Sequence, residues 1–523
     1  MSTPFTNPRD VAVAALRDRD GNVSAHLDRL LAEGRLGPVD RAFARELALG
    51  ALRRRGTLRS ALERLLDFPI DQLRHGAMLN IFDVALYQIF FLDRVPPFAA
   101  VNEAVEQTAR FTHRKKAGLV NGVLRSLLRS LGPVEQGAPP LEANVIAASA
   151  TQFRRSERPL LPEPSREAEF LAAACSLPLA LARRWLTRFG PLPRAFALGM
   201  QANARAPLVL RVNRLKASPA ELLSRFEAEG ISAAAHENGV SVVLLESRNV
   251  AELPGFDEGW FQPQDATATA VGQACAALGL FSGEGAAVLD FCAAPGTKTT
   301  HLAELMGTAG VSRGEGVSPS RLAGILPARD GEDSFSYSSD PAYGSHNAGE
   351  LAATKRSEDG TPASRYGSGT ILALDVSGEK LAKIEENCRR LGVTNVTTGL
   401  TQQAGGLAPA SFDVVLADVP CSNTGVLARR AEARWRFDEA SLGPLVRDQH
   451  WLASTAWRFV KPGGHFVYST CSIEPEECAD VIRRLIRQCG GEMVREHLTL
   501  PSGPAPTSWR DGGYYAVLRA RSL

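Results

Sequence analysis

The chain has 523 residues, of which 44% are hydrophobic and 22% charged, and its formal net charge is +2. These values are typical of a soluble globular protein with two or three domains. The longest apolar stretch, residues 81–92, contains Asp83 and Gln88 and is too short to cross a bilayer. Because the N-terminus also lacks the apolar core of a signal peptide, we expect a cytoplasmic protein without a membrane partner.

Residues 1–135 are predicted to form an all-helical bundle, because apolar residues recur three and four positions apart. Residues 1–130 contain 20 basic and 14 acidic residues, a net charge of +6. Basic residues cluster between 53 and 59 and again at 114–116. Such clusters form either a solvated helix face or a surface that contacts phosphates, and the sequence leaves both interpretations open.

The rest of the chain divides into three further parts. Residues 136–165 are rich in proline and are predicted to be a linker. Residues 166–250 predict a small α+β subdomain. From 251 to 523, strands and helices alternate, which predicts an α/β Rossmann-like domain with a mostly parallel sheet and an antiparallel edge strand at GGYYAVLRA. The segment 311–368 interrupts this pattern and is predicted to be a largely disordered insertion, with a lid or binding arm as the alternative.

A turn of small residues, in LDFCAAPGTKTTH, connects the first strand of the α/β domain to a helix. Small side chains allow the backbone to approach a ligand, and parallel sheets bind ligands at the carboxyl ends of their strands. Asp375 ends the second strand, where an acid can accept hydrogen bonds from ribose hydroxyls. The alternatives are an ordinary strand–helix turn and a helix-capping acid. The predicted site for an adenosine-type cofactor consists of Asp375 and the turn residues Cys292, Ala293, Ala294, Pro295, Gly296, Thr297 and Lys298.

The eight cysteines include no CxxC pair and no histidine partners at zinc spacing, so we expect neither disulfides nor a metal. Cys175, Cys275, Cys388 and Cys489 are predicted to be small buried hydrophobes. Cys421 in VVLADVPCSNTG and Cys471 in HFVYSTCSIEPEE are different, since each follows an apolar strand.

Several motifs, in chain order, resemble those of the RNA cytosine-5 methyltransferases of the NOL/NOP/Sun family. They are FCAAPGTKTTHLAELM, DVPCSNTG and YSTCSIEPEEC, preceded by PLVLRVNRLK and GWFQPQDATA. The segment RKKAGLVNGVLR resembles the end of a NusB-like RNA-binding domain. This domain combination is typical of family members that act on bacterial 16S ribosomal RNA. The resemblance therefore implies S-adenosylmethionine as the cofactor and 16S ribosomal RNA as the partner, and we expect a monomer.

The resemblance also implies roles for four side chains. Cys471 is the nucleophile that adds to C6 of cytosine, and Cys421 assists product release. DNA cytosine methyltransferases use a Pro-Cys cysteine as the nucleophile, so the reverse assignment is the alternative. Lys298 closes the cofactor loop, and Asp418 binds the cytosine edge or orients the cofactor. The helical domain and the α+β subdomain would contact the RNA backbone.

Two positions depart from the family pattern. Thr297 replaces a second glycine, and Leu400 stands where an acid usually contacts adenine, with Gln402 as the candidate substitute. The segment RRAEARWR either guides RNA or packs Trp435 into the core. Two other functions remain open: a transfer RNA cytosine-5 methyltransferase, and a non-catalytic RNA-binding factor for ribosome assembly.

Overall fold

The computed structural model describes residues 5–17, 22–73, 77–281, 285–308 and 369–522. The predicted insertion at 311–368 lies outside these residues. Two compact units make up the chain, Met1–Arg205 with Leu427–Glu439 and Ala206–Val426 with Ala440–Leu523. Within the described residues, no helix is both long and apolar enough to cross a membrane.

Six helices open the first unit, which confirms the predicted helical bundle. They are α1 (Pro8–Ala15), α2 (Val23–Glu33), α3 (Pro38–Leu65), α4 (Met78–Phe91), α5 (Pro97–Phe111) and α6 (Ala117–Ser130). All residues of α4 from Met78 to Phe90 are buried. Because a helix that is buried on all sides has neighbours on all sides, α4 forms the centre of the bundle. Gly50 on α3 permits this packing, since a Cβ there would overlap the ring of Tyr87.

Residues 136–165 do not form the predicted linker, because they carry part of a small sheet. Its strands β1 (Leu131–Gln136), β2 (Val145–Ala147) and β3 (Gln152–Ser156) are antiparallel, in the order β1-β3-β2. Strands this short, separated by proline- and glycine-containing turns, show too little alternation to be predicted. The first unit is completed by α7 (Glu167–Ala174), α8 (Leu179–Phe189), α9 (Leu192–Asn203) and α14 (Ala433–Arg436).

The arginine cluster between residues 53 and 59 contributes to the core of the first unit. Arg54 is buried and donates to the carbonyls of Ala147 and Ala148 at 3.2 and 2.6 Å. Arg59 binds the fully buried carboxylate of Asp83 at 3.1 Å. Neither a solvated helix face nor a phosphate-contacting surface therefore fully describes this cluster, because Arg54 and Arg59 make their contacts inside the unit. The second basic run, at 114–116, is exposed.

The segment RRAEARWR also packs within the first unit. Arg434 is fully buried and Trp435 is half-buried, and the indole N–H of Trp435 donates to the carbonyl of Leu52 at 2.8 Å. Core packing, one of the two interpretations of Trp435, therefore describes this residue better than RNA stacking.

The second unit begins with a small antiparallel sheet in the order β5-β6-β4-β7. Its elements are β4 (Val209–Val212), α10 (Pro219–Ala228), β5 (Ala233–Ala235), β6 (Ser241–Leu244) and β7 (Phe261–Pro263). Ser218 and Glu221 form a capping box that starts α10. The predicted domain boundary after residue 250 falls inside this fold, because β7 pairs with β4.

A seven-stranded sheet in the order β10-β9-β8-β11-β12-β14-β13 forms the rest of the second unit. Its strands are β8 (Ala287–Asp290), β9 (Thr370–Asp375), β10 (Val396–Leu400), β11 (Phe412–Asp418), β12 (Val460–Thr470), β13 (Glu492–Thr499) and β14 (Gly513–Arg519). Its helices are α11 (Ala266–Ala277), α12 (Thr297–Thr308), α13 (Gly378–Leu391), α15 (Glu439–Trp457) and α16 (Ala479–Cys489). Strands β8 to β12 are parallel, which confirms the predicted α/β fold class.

The strand predicted to lie at the edge of the sheet, β14, is the second strand from the edge. β14 is antiparallel to β12, as expected, but β13 pairs with its other side and forms the edge. Most residues of β13 are exposed. Its sequence therefore lacks the alternation of apolar and polar residues that would have predicted a strand.

Candidate active site

Four strands of the large sheet place functional side chains at one edge. β8 ends at Asp290, β9 at Asp375 and β11 at Asp418, while Cys471 directly follows β12. The chain runs outward from β8 through β9 to β10 and then returns to β11 on the other side of β8. This reversal creates a topological switch point, where the carboxyl ends of parallel strands leave a crevice for ligands.

The turn after β8 is attached to the end of β9. The N–H of Ala294 donates to Oδ2 of Asp375, and the N–H of Ala293 donates to the carbonyl of Leu374, both at 2.9 Å. Gly296 has a φ of 91°, and a Cβ there would lie 3.1–3.2 Å from Ile384. The turn therefore requires glycine at this position.

Thr297 does not disturb this turn although it replaces a glycine of the family pattern. It is the first residue of α12, where the helical backbone suits any L-residue, and it is not among the residues with positive φ. At the end of β10, the N–H of Leu400 donates to Oε1 of Gln403 at 2.9 Å. Gln403 therefore caps this strand, and an adenine-binding role for Gln402 stays a prediction.

The residues around Asp375 fit an adenosine-type cofactor. Asp375 is 6% exposed, and its Oδ1 accepts the N–H of Val376 at 2.7 Å and lies 3.3 Å from Nζ of Lys380. The carboxylate is thus held rigidly at a strand end beside a turn without bulky side chains. Cys292 lies in this region but is not a candidate nucleophile, because burial and then the nearby carboxylates raise the pKa of its thiol well above the usual value.

Lys298 and Asp418 form an ion pair beside the cofactor turn. Nζ of Lys298 lies 2.6 Å from Oδ2 of Asp418, while Oδ1 of Asp418 accepts the hydroxyl of Ser469 at 2.8 Å. Burial alone would lower the pKa of Lys298, but the charge and hydrogen bond of Asp418, together with the charges of Cys471 and Asp290, outweigh burial and raise the pKa overall. Lys298 therefore remains a cation, and Asp418 is oriented through both oxygens.

The two cysteines that follow β11 and β12 lie in contact. Their sulfur atoms are 2.9 Å apart, and Sγ of Cys471 lies 3.3 Å from Oδ1 of Asn423. The hydrogen bond from Cys471 lowers the pKa of Cys421, against burial and the charge of Glu477, which raise it. The contact between the sulfurs therefore couples the ionisation of the two thiols.

The cysteines differ in their access to the site. Cys471 lines a cavity together with Lys298 and Ser469, whereas Cys421 is not among the lining residues. Asp265, at the N-terminus of α11, lines the same cavity. Of the two cysteines, Cys471 is therefore the one that lines this cavity.

Sequence reasoning missed two carboxyl groups at this edge. Asp290 is 1% exposed and accepts the hydroxyl of Thr299 at 2.7 Å, and burial raises its pKa to about 7. Glu477 is fully buried and binds the serines that follow both cysteines. The signals in the sequence were the position of Asp290 in the motif LDFCAAPGTKTTH and, for Glu477, the repeated Cys-Ser pair at 421–422 and 471–472.

All the predicted site residues lie in the second unit, along the carboxyl edge of its large sheet. The arrangement provides a carboxylate for a nucleoside, a cation paired with an oriented acid, and a thiol facing a cavity with a second thiol behind it. These groups suit nucleophilic addition by a thiolate next to a bound nucleoside cofactor. The individual roles that the resemblance assigns to these residues stay predictions.

Three family models match successive parts of the chain. The model described as 16S rRNA methyltransferase RsmB/F matches residues 277–328 and 365–500. The NusB family model matches residues 6–129. A model described as the ferredoxin-like domain of RsmF/B-like methyltransferases matches residues 177–251.

Curated proteins match nearly the whole chain. "Ribosomal RNA small subunit methyltransferase B" of Sodalis glossinidius is 29% identical over 518 residues, which cover 97% of this chain and 95% of that protein. The protein of the same name from Salmonella paratyphi A is 29% identical over 500 residues, covering 92% and 90%. The crystal structure of PH0851 covers 99% of both chains with a TM-score of 0.63 at 20% identity, so this likeness concerns the fold.

Proposed function

We propose that the chain is an S-adenosylmethionine-dependent methyltransferase that methylates C5 of a cytosine in small-subunit ribosomal RNA. Support comes from the match to the 16S rRNA methyltransferase RsmB/F and NusB family models and from the 29% identity to a small-subunit ribosomal RNA methyltransferase over nearly the whole chain. In the proposed reaction, Cys471 forms a covalent bond to C6 of the base, and Cys421 assists release. The target base must be unpaired or flipped out of a helix.

The observation that carries this proposal is the pair of thiols 2.9 Å apart at the ends of two neighbouring parallel strands. C5 of cytosine is a weak nucleophile, so it must be activated before it can accept a methyl group. Addition of a thiolate to C6 activates it, and the same bond must later be broken. One sulfur that attacks and a second that assists elimination meet both requirements. Exposure of Cys471 to the cavity supports its assignment as the attacking sulfur.

The bonds change in the following order. The sulfur of Cys471 supplies an electron pair to C6, and the C5–C6 π electrons move to C5. S-adenosylmethionine would be held by the turn 292–298 and Asp375 and would supply an electrophilic methyl group. As C5 bonds to this methyl group, the bond between the methyl group and the sulfonium sulfur would break and leave S-adenosylhomocysteine. The proton on C5 then passes to water, the electrons of the C5–H bond restore the C5–C6 double bond, and the C6–S bond breaks with its electron pair returning to Cys471.

Lys298 and Asp418 support this sequence electrostatically. The Lys298 ammonium lies close enough to Cys471 for their charges to interact, which favours the thiolate. Asp418 is held by Lys298 and Ser469, so it presents an oriented acceptor beside the cavity. An oriented carboxylate of this kind suits the amino group of cytosine, which is a hydrogen-bond donor.

The two cysteines can be tested from opposite sides of one intermediate. We expect Cys471→Ala to abolish methylation and to form no covalent complex with RNA. Cys421→Ala should add to the base but release it poorly, so that a protein–RNA complex survives denaturing electrophoresis. The substrate is 16S ribosomal RNA from a strain lacking the gene, with S-adenosylmethionine, and bisulfite sequencing identifies the methylated cytosine.

Cys175→Ala is a suitable control, because Cys175 is buried in the first unit and its pKa is raised to about 12 by burial. A stalled complex in Cys471→Ala instead of Cys421→Ala would reverse the two roles. Unchanged methylation in both variants would exclude the mechanism. Methylation of transfer RNA alone, or binding of ribosomal RNA without methylation, would favour the two alternative functions.

A further inference from the structure

Glu477 contacts both cysteine-bearing loops, and the mechanism above does not use it. It ends the 3-10 turn Pro475–Glu477, which follows β12, and it is fully buried. One carboxylate oxygen accepts the N–H of Ser422 at 2.8 Å and the side-chain amide of Gln449 at 2.9 Å. The other oxygen accepts the hydroxyls of Ser422 and Ser472. One side chain therefore accepts four hydrogen bonds.

The two serines connect this carboxylate to both sulfurs. Ser422 directly follows Cys421, and Ser472 directly follows Cys471. The serine hydroxyls lie 3.3 Å apart and the sulfurs 2.9 Å apart. Glu477 thus fixes each loop one residue beyond its thiol.

Stability of the fold alone does not explain a carboxylate at this position. Its four hydrogen bonds come from neutral groups. Burying a carboxylate among neutral donors costs hydration energy that an uncharged side chain of similar shape would not lose. A role in holding the two loops in position therefore explains the charge and the four acceptor sites of Glu477 better than fold stability does.

The charge of Glu477 also affects which sulfur is ionised. The hydrogen bond from Cys471 lowers the pKa of Cys421, whereas burial and the charge of Glu477 raise it. Cys471, in contrast, interacts with the charge of Lys298. The charge of Glu477 therefore opposes ionisation of Cys421, and the charge of Lys298 supports ionisation of Cys471.

We propose that Glu477 is a positioning residue: it holds the two thiols at their working separation, and its charge disfavours the thiolate on Cys421. This inference rests on the proposed methyl transfer. Glu477 acts through Ser422 and Ser472 and does not itself contact the nucleotide.

Two substitutions of Glu477 distinguish its effect on the positions of the loops from the effect of its charge. Glu477→Ala removes all four acceptor sites, and we expect kcat to fall about 100-fold with little change in KM for RNA, as misplacement of reacting groups by about 1 Å can cause. Glu477→Gln retains an oxygen for Ser422 N–H and Gln449, while its amide can donate to the serine hydroxyls, which also accept. It should keep the loops in place and lose the charge, so that iodoacetamide labelling shifts from Cys471 toward Cys421.

Asp480→Asn is the matched control, because it removes an exposed carboxylate three residues further along. Adduct formation is measured in single turnovers with 16S ribosomal RNA and S-adenosylmethionine, in Cys421→Ala with and without Glu477→Ala. We expect the second substitution to slow adduct formation. An unchanged rate in a folded double variant overturns the role of Glu477. If Cys421→Ala alone forms no adduct, the proposed function itself fails.

Circular dichroism shows whether Glu477→Ala folds. If Glu477→Ala does not fold, the test uses Glu477→Gln, in which mass spectrometry of the iodoacetamide-labelled peptides gives the ratio of labelling at Cys421 to that at Cys471. A shift of labelling toward Cys421 supports the inference, and a labelling ratio equal to that of the wild type overturns it.

Discussion

Arg434 in the first unit and Asp290 in the second are both buried charged residues, but their surroundings are opposite. The guanidinium of Arg434 makes five hydrogen bonds to acceptors of the first unit, four of them backbone carbonyls. Asp290 accepts one hydrogen bond, from Thr299, and its Oδ1 has no partner among the described residues. The first unit buries a cation and surrounds it with partners, whereas the second buries an anion that has few.

This difference corresponds to different uses of buried charge. Arg54 and Arg434 fasten helices and loops together, because each binds backbone carbonyls of other segments of the first unit. The acids of the second unit lie at strand ends, beside the predicted cofactor turn and the two thiols. Among them, Asp290 accepts a single hydrogen bond, and burial raises its pKa to about 7, so this acid is able to change its protonation state near neutral pH.

The largest expected effect comes from removing the buried cation of the first unit, Arg434. Arg434→Ala removes the partner of four backbone carbonyls and of Asn203. We expect the free energy of unfolding to fall by about 3–5 kcal/mol, measured by urea denaturation. Arg436→Ala, at an exposed position two residues away, should change it by less than about 0.5 kcal/mol. Equal effects of the two substitutions would show that Arg434 does not hold the first unit together.

A smaller effect is expected from removing an acid of the second unit, Asp375. Asp375→Ala should weaken S-adenosylmethionine binding by about 1.5–3 kcal/mol, because a charged acceptor at the end of β9 is lost. Titration calorimetry measures the change. Glu379→Ala removes a carboxylate that is 83% exposed at the start of α13 and should bind the cofactor normally. If Asp375→Ala also binds normally, Asp375 is only a structural acid.

The smallest effect concerns pH. The pKa of Asp290 is raised from 3.8 to about 7 in the folded chain, so between these values the folded state binds more protons than the unfolded state. Stability contributed by this group is therefore present at low pH and is lost as pH rises through this window, at no more than about 1.4 kcal/mol per unit. Asp290→Asn should flatten this part of the stability profile, measured by urea denaturation from pH 5 to 7. A profile of unchanged slope would contradict the raised pKa.

The sequence predicted those parts of the fold whose signal is local. The strands that end at Asp375 and Asp418 are continuous apolar runs followed by a turn, as buried parallel strands should be. β13 was not predicted because an exposed edge strand has no apolar face. The strands within residues 136–165 were hidden by their shortness and by the prolines around them.

The candidate site was predictable only to the extent that its residues occur in motifs. Cys421, Cys471 and Lys298 lie in motifs that resemble a known family, so their proximity could be anticipated. The contacts of Glu477 with Ser422 and Ser472 join segments up to 55 residues apart and leave no periodic pattern in the sequence. The burial of Arg54 was equally invisible, because its carbonyl partners belong to a segment predicted to be a linker.

The short segment Leu427–Glu439 has a consequence for the modularity of this protein. It lies between two stretches of the second unit in the sequence, yet it belongs to the first unit and contributes Arg434 and Trp435 to its packing. A cut after Arg205 would therefore not release two complete domains, since the C-terminal fragment would retain a piece of the other unit. During evolution, the two units could not be exchanged by recombination at a single point in the gene. The two units must be inherited together, or be separated by three breaks in the chain, after Arg205, Val426 and Glu439.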